Sequence, residues 1–164
     1  MRFRFIDRIK RWEAFRTLEG AKAVSFEEYE LKAPFGDAPE LPRSLVVEVL
    51  YQAANWLTVL SSDYSSGSLL VDTGRVQFFT SLHPGERLDV VVSFDADAII
   101  DGNSRANADM RGDDRKEVSF HGSGRVGTRE VVRLEDAFMR LIPLSELDDP
   151  EDVRVLFSEI SPKS

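Results

Sequence analysis

Hydrophobic residues between positions 45 and 60 fall on nearly every side of a helix rather than along one stripe. A helix that is apolar all round is buried on all sides. Pro42 suits a first helical turn, and Ser44 can cap the helix by accepting a backbone N–H bond. We therefore predict one long buried helix that begins near residues 42–44 and ends at about Leu60.

A narrow polar line is the exception on this helix. Its members are spaced by four, four and three residues, which places them on one face; they are Ser44, Glu48, Gln52 and Asn55. Because burial of a polar group without a partner costs free energy, the line predicts a polar cavity beside the helix. Tyr51 and Trp56 flank the line and either narrow that cavity or pack in the core.

Alternating hydrophobic and polar residues predict strands on both sides of the helix. Residues 88–98 have an apolar side chain at every second position. Gly74 interrupts an extended stretch over residues 69–82, which predicts a bulge. Residues 3–9 are predicted to form a short strand or turn, and further strands are predicted over residues 21–31, 117–126 and 129–142. A short C-terminal helix is predicted over residues 149–160.

The order of these elements predicts an α+β fold. Two strands and a proline-rich loop at residues 33–42 precede the long helix, and the remaining strands follow it. A helix can be apolar all round only when a sheet wraps it. We therefore predict a hotdog fold, which is a curved antiparallel sheet around one long central helix. Residues 1–164 are expected to form a single domain, with residues 143–164 as a C-terminal extension.

Composition narrows the chemistry of the chain. It has a formal charge of −8 and no cysteine. The lack of thiols excludes disulfides, thiolate metal sites and cysteine nucleophiles. The acidic charge argues against nucleic-acid binding, since phosphate contacts need a basic surface. The aspartates in residues 101–116 lack the spacing of a calcium loop, and we expect neither a metal nor a cofactor.

The long helix is also the best candidate for a membrane span. It is shorter than the roughly 20 residues that a span needs, and it contains Glu48, Gln52 and Asn55. The N-terminus has no apolar region typical of a secretion signal. We therefore expect no membrane span and a cytoplasmic location.

Basic residues cluster near the N-terminus, at Arg2, Arg4, Arg8, Lys10, Arg11 and Arg16. Charge runs usually form a solvated face. The alternative is a small basic patch for an acidic partner such as a carrier protein.

The loop and the start of the helix carry a longer motif. Residues 33–54 read APFGDAPELPRSLVVEVLYQAA. This segment resembles the G-H-F-P-G-x-P-x-[ML]-P-G-x-L-x-x-E-x-L-x-Q-A-A motif of the β-hydroxyacyl-acyl-carrier-protein dehydratases, in register and without a gap. The flanking segments FIDRI at residues 5–9, VQF at 76–78 and PGERL at 84–88 also resemble that family. The resemblance extends over residues 3 to about 140.

The chain departs from the family at the catalytic position. Pro34 stands where the family has the histidine that takes the α-proton, and Arg43 stands at a glycine whose backbone N–H polarises the thioester carbonyl. Glu48 matches the family's catalytic carboxylate. Proline supplies no base, although Arg43 keeps its backbone N–H. Neither of the two histidines, His83 and His121, is expected to substitute.

The resemblance implies a dehydratase-like protein that binds acyl thioesters of acyl-carrier-protein or CoA, in fatty acid or polyketide metabolism, with impaired catalysis. One alternative is an active 3-hydroxyacyl-acyl-carrier-protein dehydratase with a displaced base. Another is an acyl thioesterase that uses Glu48 as base or nucleophile, and a purely structural subunit is a further one. Glu48 is the expected catalytic residue, and Arg43, Ser44, Gln52 and Asn55 are expected to bind substrate.

The resemblance also implies a homodimer in which a long strand pairs across the two-fold axis and the active sites lie at the interface. A higher oligomer, or pairing with an active paralogue, is an alternative assembly.

Overall fold

The computed structural model describes residues 5–25, 39–95 and 117–161. Its strands are β1 (Arg8–Glu13), β2 (Thr17–Ala23), β3 (Ser66–Asp72), β4 (Arg75–Phe78), β5 (Arg87–Phe94), β6 (Glu117–Val126) and β7 (Arg129–Pro143). The helices are α1 (Arg43–Ser61) and α2 (Pro150–Ile160), with a 3₁₀ turn at Leu144–Glu146 between β7 and α2. The predicted loop over residues 101–116, most of the loop over 33–42, and Pro34 lie outside the described residues.

The strands form one seven-stranded antiparallel sheet in the order β1-β2-β5-β6-β7-β3, with β4 also paired to β7. Helix α1 lies against β2, β3, β5 and β6. Its residues from 52 to 60 are all buried. At Gly122 of β6, an added Cβ would lie 3.4 Å from Leu50 of α1, so the helix packs closely on the sheet. The predicted hotdog arrangement is confirmed.

A bulge in β7 interrupts its pairing with β6 near His121. The register between β6 and β7 shifts between Phe120 and Gly122, so that Glu135 and Asp136 both lie opposite His121. Asp136 has a φ of 56°, and Gly74 on the other side of β7 has a φ of 57°. A bulge of this kind bends the strand that carries it, so it helps the sheet to curve around α1.

The stretch predicted as one interrupted strand over residues 69–82 is two strands. Strands β3 and β4 both pair with β7, and Thr73 and Gly74 separate them. The break at Gly74 was predicted, but the pairing begins earlier, at Ser66, and ends at Phe78.

The predicted bounds of the first two strands were wrong. In the described residues, β1 begins at Arg8 and runs on to Glu13, and β2 begins at Thr17 and ends at Ala23, so that the two strands form a hairpin. Residues 3–4 and 26–31 of the predicted stretches lie outside the described residues. Its turn contains Phe15 with a φ of 56°, a conformation that bulky residues rarely adopt. Since no glycine, proline or asparagine marks this turn, its position was not visible in the sequence.

The predicted C-terminal helix is confirmed as α2, whereas the predicted cap of α1 is corrected. Asp149 caps α2 by accepting a hydrogen bond from the backbone N–H of Glu151, at 2.8 Å from its Oδ1. Helix α1 instead begins at Arg43, with Pro42 at the N-cap and no capping side chain. Ser44 therefore lies inside the first turn and does not cap the helix.

Helix α2 packs against the end of α1 through its apolar side. Val153 and Ile160 are part of the core, and the ring of Phe157 lies 6.0 Å from that of Trp56. No helix in the described part of the chain is long and apolar enough to cross a membrane.

Candidate active site

The predicted polar line on α1 runs from the surface into the core. Ser44 is exposed and Glu48 is half-buried. Gln52 and Asn55, further along the helix, each have only 4% of their surface exposed. The four residues do share one side of the helix, but the structure gives them different partners.

Glu48 and Gln52 form a hydrogen-bonded pair. The Nε2 of Gln52 donates to the Oε1 of Glu48 at 2.9 Å. The Oε1 of Gln52 accepts the backbone N–H of Phe5, also at 2.9 Å. Burial raises the pKa of Glu48, and the hydrogen bond from Gln52 partly offsets that rise. A carboxyl group with a raised pKa can both accept and return a proton nearer to neutral pH.

Asn55 and Tyr51 bind strand β3 instead. The Oδ1 of Asn55 accepts hydrogen bonds from the backbone N–H and the hydroxyl of Ser68, at 2.8 and 2.9 Å. The hydroxyl of Tyr51 donates to the backbone carbonyl of Ser68 at 2.5 Å. Burial, together with the charge of Glu48, raises the pKa of Tyr51, so the phenol stays protonated. The carbonyl oxygen of Asn55 therefore has a structural partner, and its predicted contact with substrate stays a prediction.

The N-terminus of α1 exposes two backbone donors. The N–H groups of Leu45 and Val46 both bind the carbonyl of Pro42, at 2.9 and 3.1 Å. The preceding N–H groups, on Arg43 and Ser44, have no partner among the described residues. The side chain of Arg43 lies over the ring of Phe78, at 5.1 Å from its centroid. The positive end of the helix dipole and these two donors can stabilise negative charge on a substrate oxygen.

The two histidines differ in what their ring nitrogens contact. The Nε2 of His121 donates to Asp95 Oδ1 at 2.6 Å, and its Nδ1 accepts the backbone N–H of Asp136 at 3.1 Å. His83 lies 3.1 Å from the carbonyl oxygen of Pro39 through its Nδ1, which must therefore donate. In that tautomer the Nε2 of His83 carries the lone pair. Sequence reasoning gave no sign of the contact with Pro39.

A cavity of about 590 Å³ opens on the face of the sheet that is turned away from α1. Its lining includes Val91, Ser93, His121 and Ser123, which alternate with buried core residues. The cavity does not include any member of the polar line on α1. The predicted cavity beside the helix is thus not this one, and the chemistry of the candidate site rests on Glu48 and the helix terminus.

The described basic residues near the N-terminus are mostly paired within the chain. Lys10 lies 2.8 Å from Asp89, Arg16 lies 2.7 Å from Glu13, and Arg11 pairs with Glu19. Arg2 and Arg4 lie outside the described residues. This pairing favours the interpretation of the cluster as a solvated strand face.

Curated proteins similar to this chain are dehydratases. The chain is 31% identical over 121 residues to the 3-hydroxyacyl-[acyl-carrier-protein] dehydratase FabZ of Oleidesulfovibrio alaskensis, an alignment that covers 66% of this chain and 79% of that relative. FabZ of Vibrio atlanticus is 30% identical over 95 residues, which cover 56% of this chain and 63% of that protein. No protein-family model matches the chain.

Solved structures show the same fold at low identity. The fluoroacetyl-CoA thioesterase FlK superposes with a TM-score of 0.57 and 14% identity, over 88% of this chain and 97% of FlK. The dehydratase heterocomplex ApeI:P of Xenorhabdus doucetiae gives a TM-score of 0.53 and 13% identity, over 80% of this chain and 91% of that chain.

Proposed function

Because the chain belongs to the family of 3-hydroxyacyl-[acyl-carrier-protein] dehydratases, we propose that it binds acyl thioesters of acyl-carrier-protein or CoA with impaired catalysis. The thioester carbonyl would lie at the N-terminus of α1, and Glu48 would face the hydroxyl group or a water. The observation that carries the proposal is the half-buried Glu48, held by Gln52 on the same helix that presents two backbone donors.

Dehydration of a 3-hydroxyacyl thioester needs two groups. A base takes the α-proton, and an acid protonates the departing hydroxyl. Burial raises the pKa of Glu48, which suits it for the acid. Pro34, which the resemblance aligns with the family's base, has no side-chain proton acceptor, and this is the reason for proposing impaired catalysis.

We further propose that the chain acts in the cytoplasm as a homodimer or beside a paralogue that retains the base. In the family the carboxylate and the base of one site come from different subunits, so a chain with Glu48 alone could still complete a partner's site. A chain of the same fold belongs to the dehydratase heterocomplex ApeI:P of Xenorhabdus doucetiae, which supports pairing of this kind.

The test is to offer 3-hydroxyacyl thioesters of CoA and of carrier protein to the purified chain and to follow the 2-enoyl product. We expect saturable binding by calorimetry, and turnover about 10²–10⁴-fold below that of a family member with the histidine, since a positioned base contributes that much. Turnover at the level of such an enzyme, abolished by Glu48→Gln, would overturn the impairment. Release of free thiol would instead show a thioesterase, and no binding of any thioester would contradict the proposal itself.

The position of His83 favours a second candidate, an active dehydratase with a displaced base. Its Nδ1 is held by the carbonyl of Pro39, three residues before the N-cap of α1, and Leu41 also binds its neighbour Leu82 through a 2.7 Å backbone hydrogen bond. The Nε2 is then the basic nitrogen. If this candidate is right, His83→Gln removes the turnover that the chain shows, whereas His121→Gln, on the other face of the sheet, keeps it.

A further inference from the structure

The contacts of Gln52 with Phe5 and Glu48 allow its side-chain amide one orientation. The backbone N–H of Phe5 can only donate a hydrogen bond, so it must face the oxygen of the amide. The Nε2 then faces Glu48, whose carboxylate can only accept when ionised. Both ends of the contact therefore require the same orientation, and a rotated amide would place like groups against each other at both ends.

Burial makes this orientation costly to lose. Gln52 has 4% of its surface exposed, so bulk water does not readily replace either partner. A buried donor or acceptor that loses its partner costs its full desolvation free energy. Glu48 itself is only half-buried. Its contact with Gln52 is therefore held in place by the buried residue of the pair.

We propose that Gln52 is a positioning residue for Glu48, and that the backbone N–H of Phe5 fixes Gln52 in the orientation that donates to the carboxylate. The opening segment at residues 5–9 and the helix motif at 43–54 would then be linked through one side chain. The catalytic meaning of this link rests on the proposed function, but the link itself does not.

The electrostatic surroundings of Glu48 allow the role of Gln52 to be measured directly. In the described part of the chain, burial raises the pKa of Glu48 and the hydrogen bond of Gln52 lowers it. Tyr51, on the same helix, is a titratable group whose pKa the charge of Glu48 helps to raise. Within residues 5–25, 39–95 and 117–161, no charged side chain of the strands packed on α1 contributes to the pKa of Glu48. Loss of the Gln52 donor should therefore raise the pKa of Glu48, because the hydrogen bond that offsets the effect of burial is gone.

The first experiment titrates the carboxyl carbon of Glu48 by NMR in glutamate-labelled protein, with Glu48→Gln used to assign its signal. We expect Gln52→Met, which keeps the volume but removes the donor, to raise the pKa of Glu48. The matched control is Thr58→Val, which removes a buried hydroxyl of α1 that donates to the carbonyl of Ala54 in the same helix. An unchanged pKa in Gln52→Met, or an equal rise in both variants, would overturn the proposal.

A second pair of variants tests the contact with Phe5 even if Gln52→Met does not fold. Phe5→Pro and Phe5→Ala both remove the aromatic ring, but only the proline removes the N–H. We expect the pKa of Glu48 to rise in Phe5→Pro and to stay at the wild-type value in Phe5→Ala. Equal titrations in the two variants would show that the N–H does not orient Gln52.

Kinetics separate this proposal from the proposed function. If the chain turns over an acyl thioester, Gln52→Met should lower kcat more than it raises KM. It should also move the part of the pH–rate profile that depends on Glu48 to higher pH. If no thioester is bound or turned over, the proposed function fails, while the NMR titration still decides whether Gln52 positions Glu48.

Discussion

At the scale of the residue, Gly74 shows how a single backbone position shapes the sheet. Its φ of 57° is one that side chains disfavour, and the bulge of β7 lies beside it. A Cβ at Gly74 would lie 2.2 Å from the carbonyl oxygen of Glu135, well inside contact distance. Only glycine lets β3 and β4 follow the same edge of β7 past this bulge.

Substitution of Gly74 should therefore destabilise the fold. We expect Gly74→Ala to lower the free energy of unfolding by about 3 kcal/mol, because backbone strain and a steric clash add. Denaturant unfolding measures the change. Gly127→Ala is the matched control, since its φ is 59° but nothing lies within 4 Å of the added Cβ, so it should cost about 1 kcal/mol. Equal losses in the two variants would contradict the close approach at Gly74.

Burial of Glu48 makes a second prediction at this scale. Because the folded-state pKa is raised, the protonated form stabilises the fold below the unfolded pKa of about 4.3, and that contribution disappears as pH rises through the folded value. The side chain in Glu48→Gln is neutral at every pH, so the variant does not lose this stabilisation as pH rises. We therefore expect the stability of Glu48→Gln relative to wild type to increase as pH rises above about 4. Urea unfolding across pH measures this, and a constant difference would contradict it.

At the scale of the element, helix α1 satisfies the outer edge of strand β3. Strand β3 is at the end of the sheet order, where backbone groups are normally unpaired. The hydroxyl of Ser62, the C-cap of α1, accepts the backbone N–H of Ser66 at 3.0 Å, and Asn55 and Tyr51 of α1 bind Ser68. The polar residues on the second half of α1 thus hold the sheet edge, while Glu48 and Gln52 form the candidate site.

Loss of the hydrogen bonds between Asn55 and Ser68 should destabilise the fold. We expect Asn55→Leu to lower the free energy of unfolding by about 2–3 kcal/mol, since it leaves the buried N–H of Ser68 without its acceptor and leaves the Ser68 hydroxyl with the weak acceptor Met139 Sδ at 3.3 Å. Thr58→Val, a buried polar residue one turn later, is the control and should change it by less than about 1 kcal/mol. If Asn55→Leu is as stable as Thr58→Val, then Asn55 is free for another role, such as the substrate contact predicted from the sequence.

At the scale of the whole molecule, an exposed apolar surface lies beside this edge. Leu69 and Val71 of β3 and Phe138 of β7 have 45%, 48% and 40% of their surface exposed. Exposed apolar residues that adjoin one another indicate an interaction surface. This is the side of the sheet where the proposed homodimer would meet.

The dimer itself is testable. We expect the wild-type chain to be a dimer by light scattering, and the double variant Leu69→Lys/Val71→Lys to dissociate because it buries charge at the interface. Val155→Lys, on α2 and 61% exposed, provides the control and should remain dimeric. A monomeric wild-type chain would contradict the assembly.

The sequence by itself determined the elements whose pattern is local. The apolar residues of α1, its polar face, the C-terminal helix α2 and the strands β6 and β7 were all predicted, because the periods of helices and strands depend on neighbouring residues. The family was visible for the same reason, since its motifs are contiguous.

Only the tertiary structure decided how the polar face of α1 is used. Gln52 meets Phe5 across 47 positions and Asn55 meets Ser68 across 13, so the helical pattern could not distinguish the residue that holds Glu48 from the one that holds a strand. The hairpin turn at Phe15 and the bulge at Asp136 also escaped prediction. The left-handed backbone at Phe15 accompanies the pairing of β1 with β2 and a hydrogen bond from its N–H to Ser61, and that at Asp136 accompanies the pairing of β7 with β6.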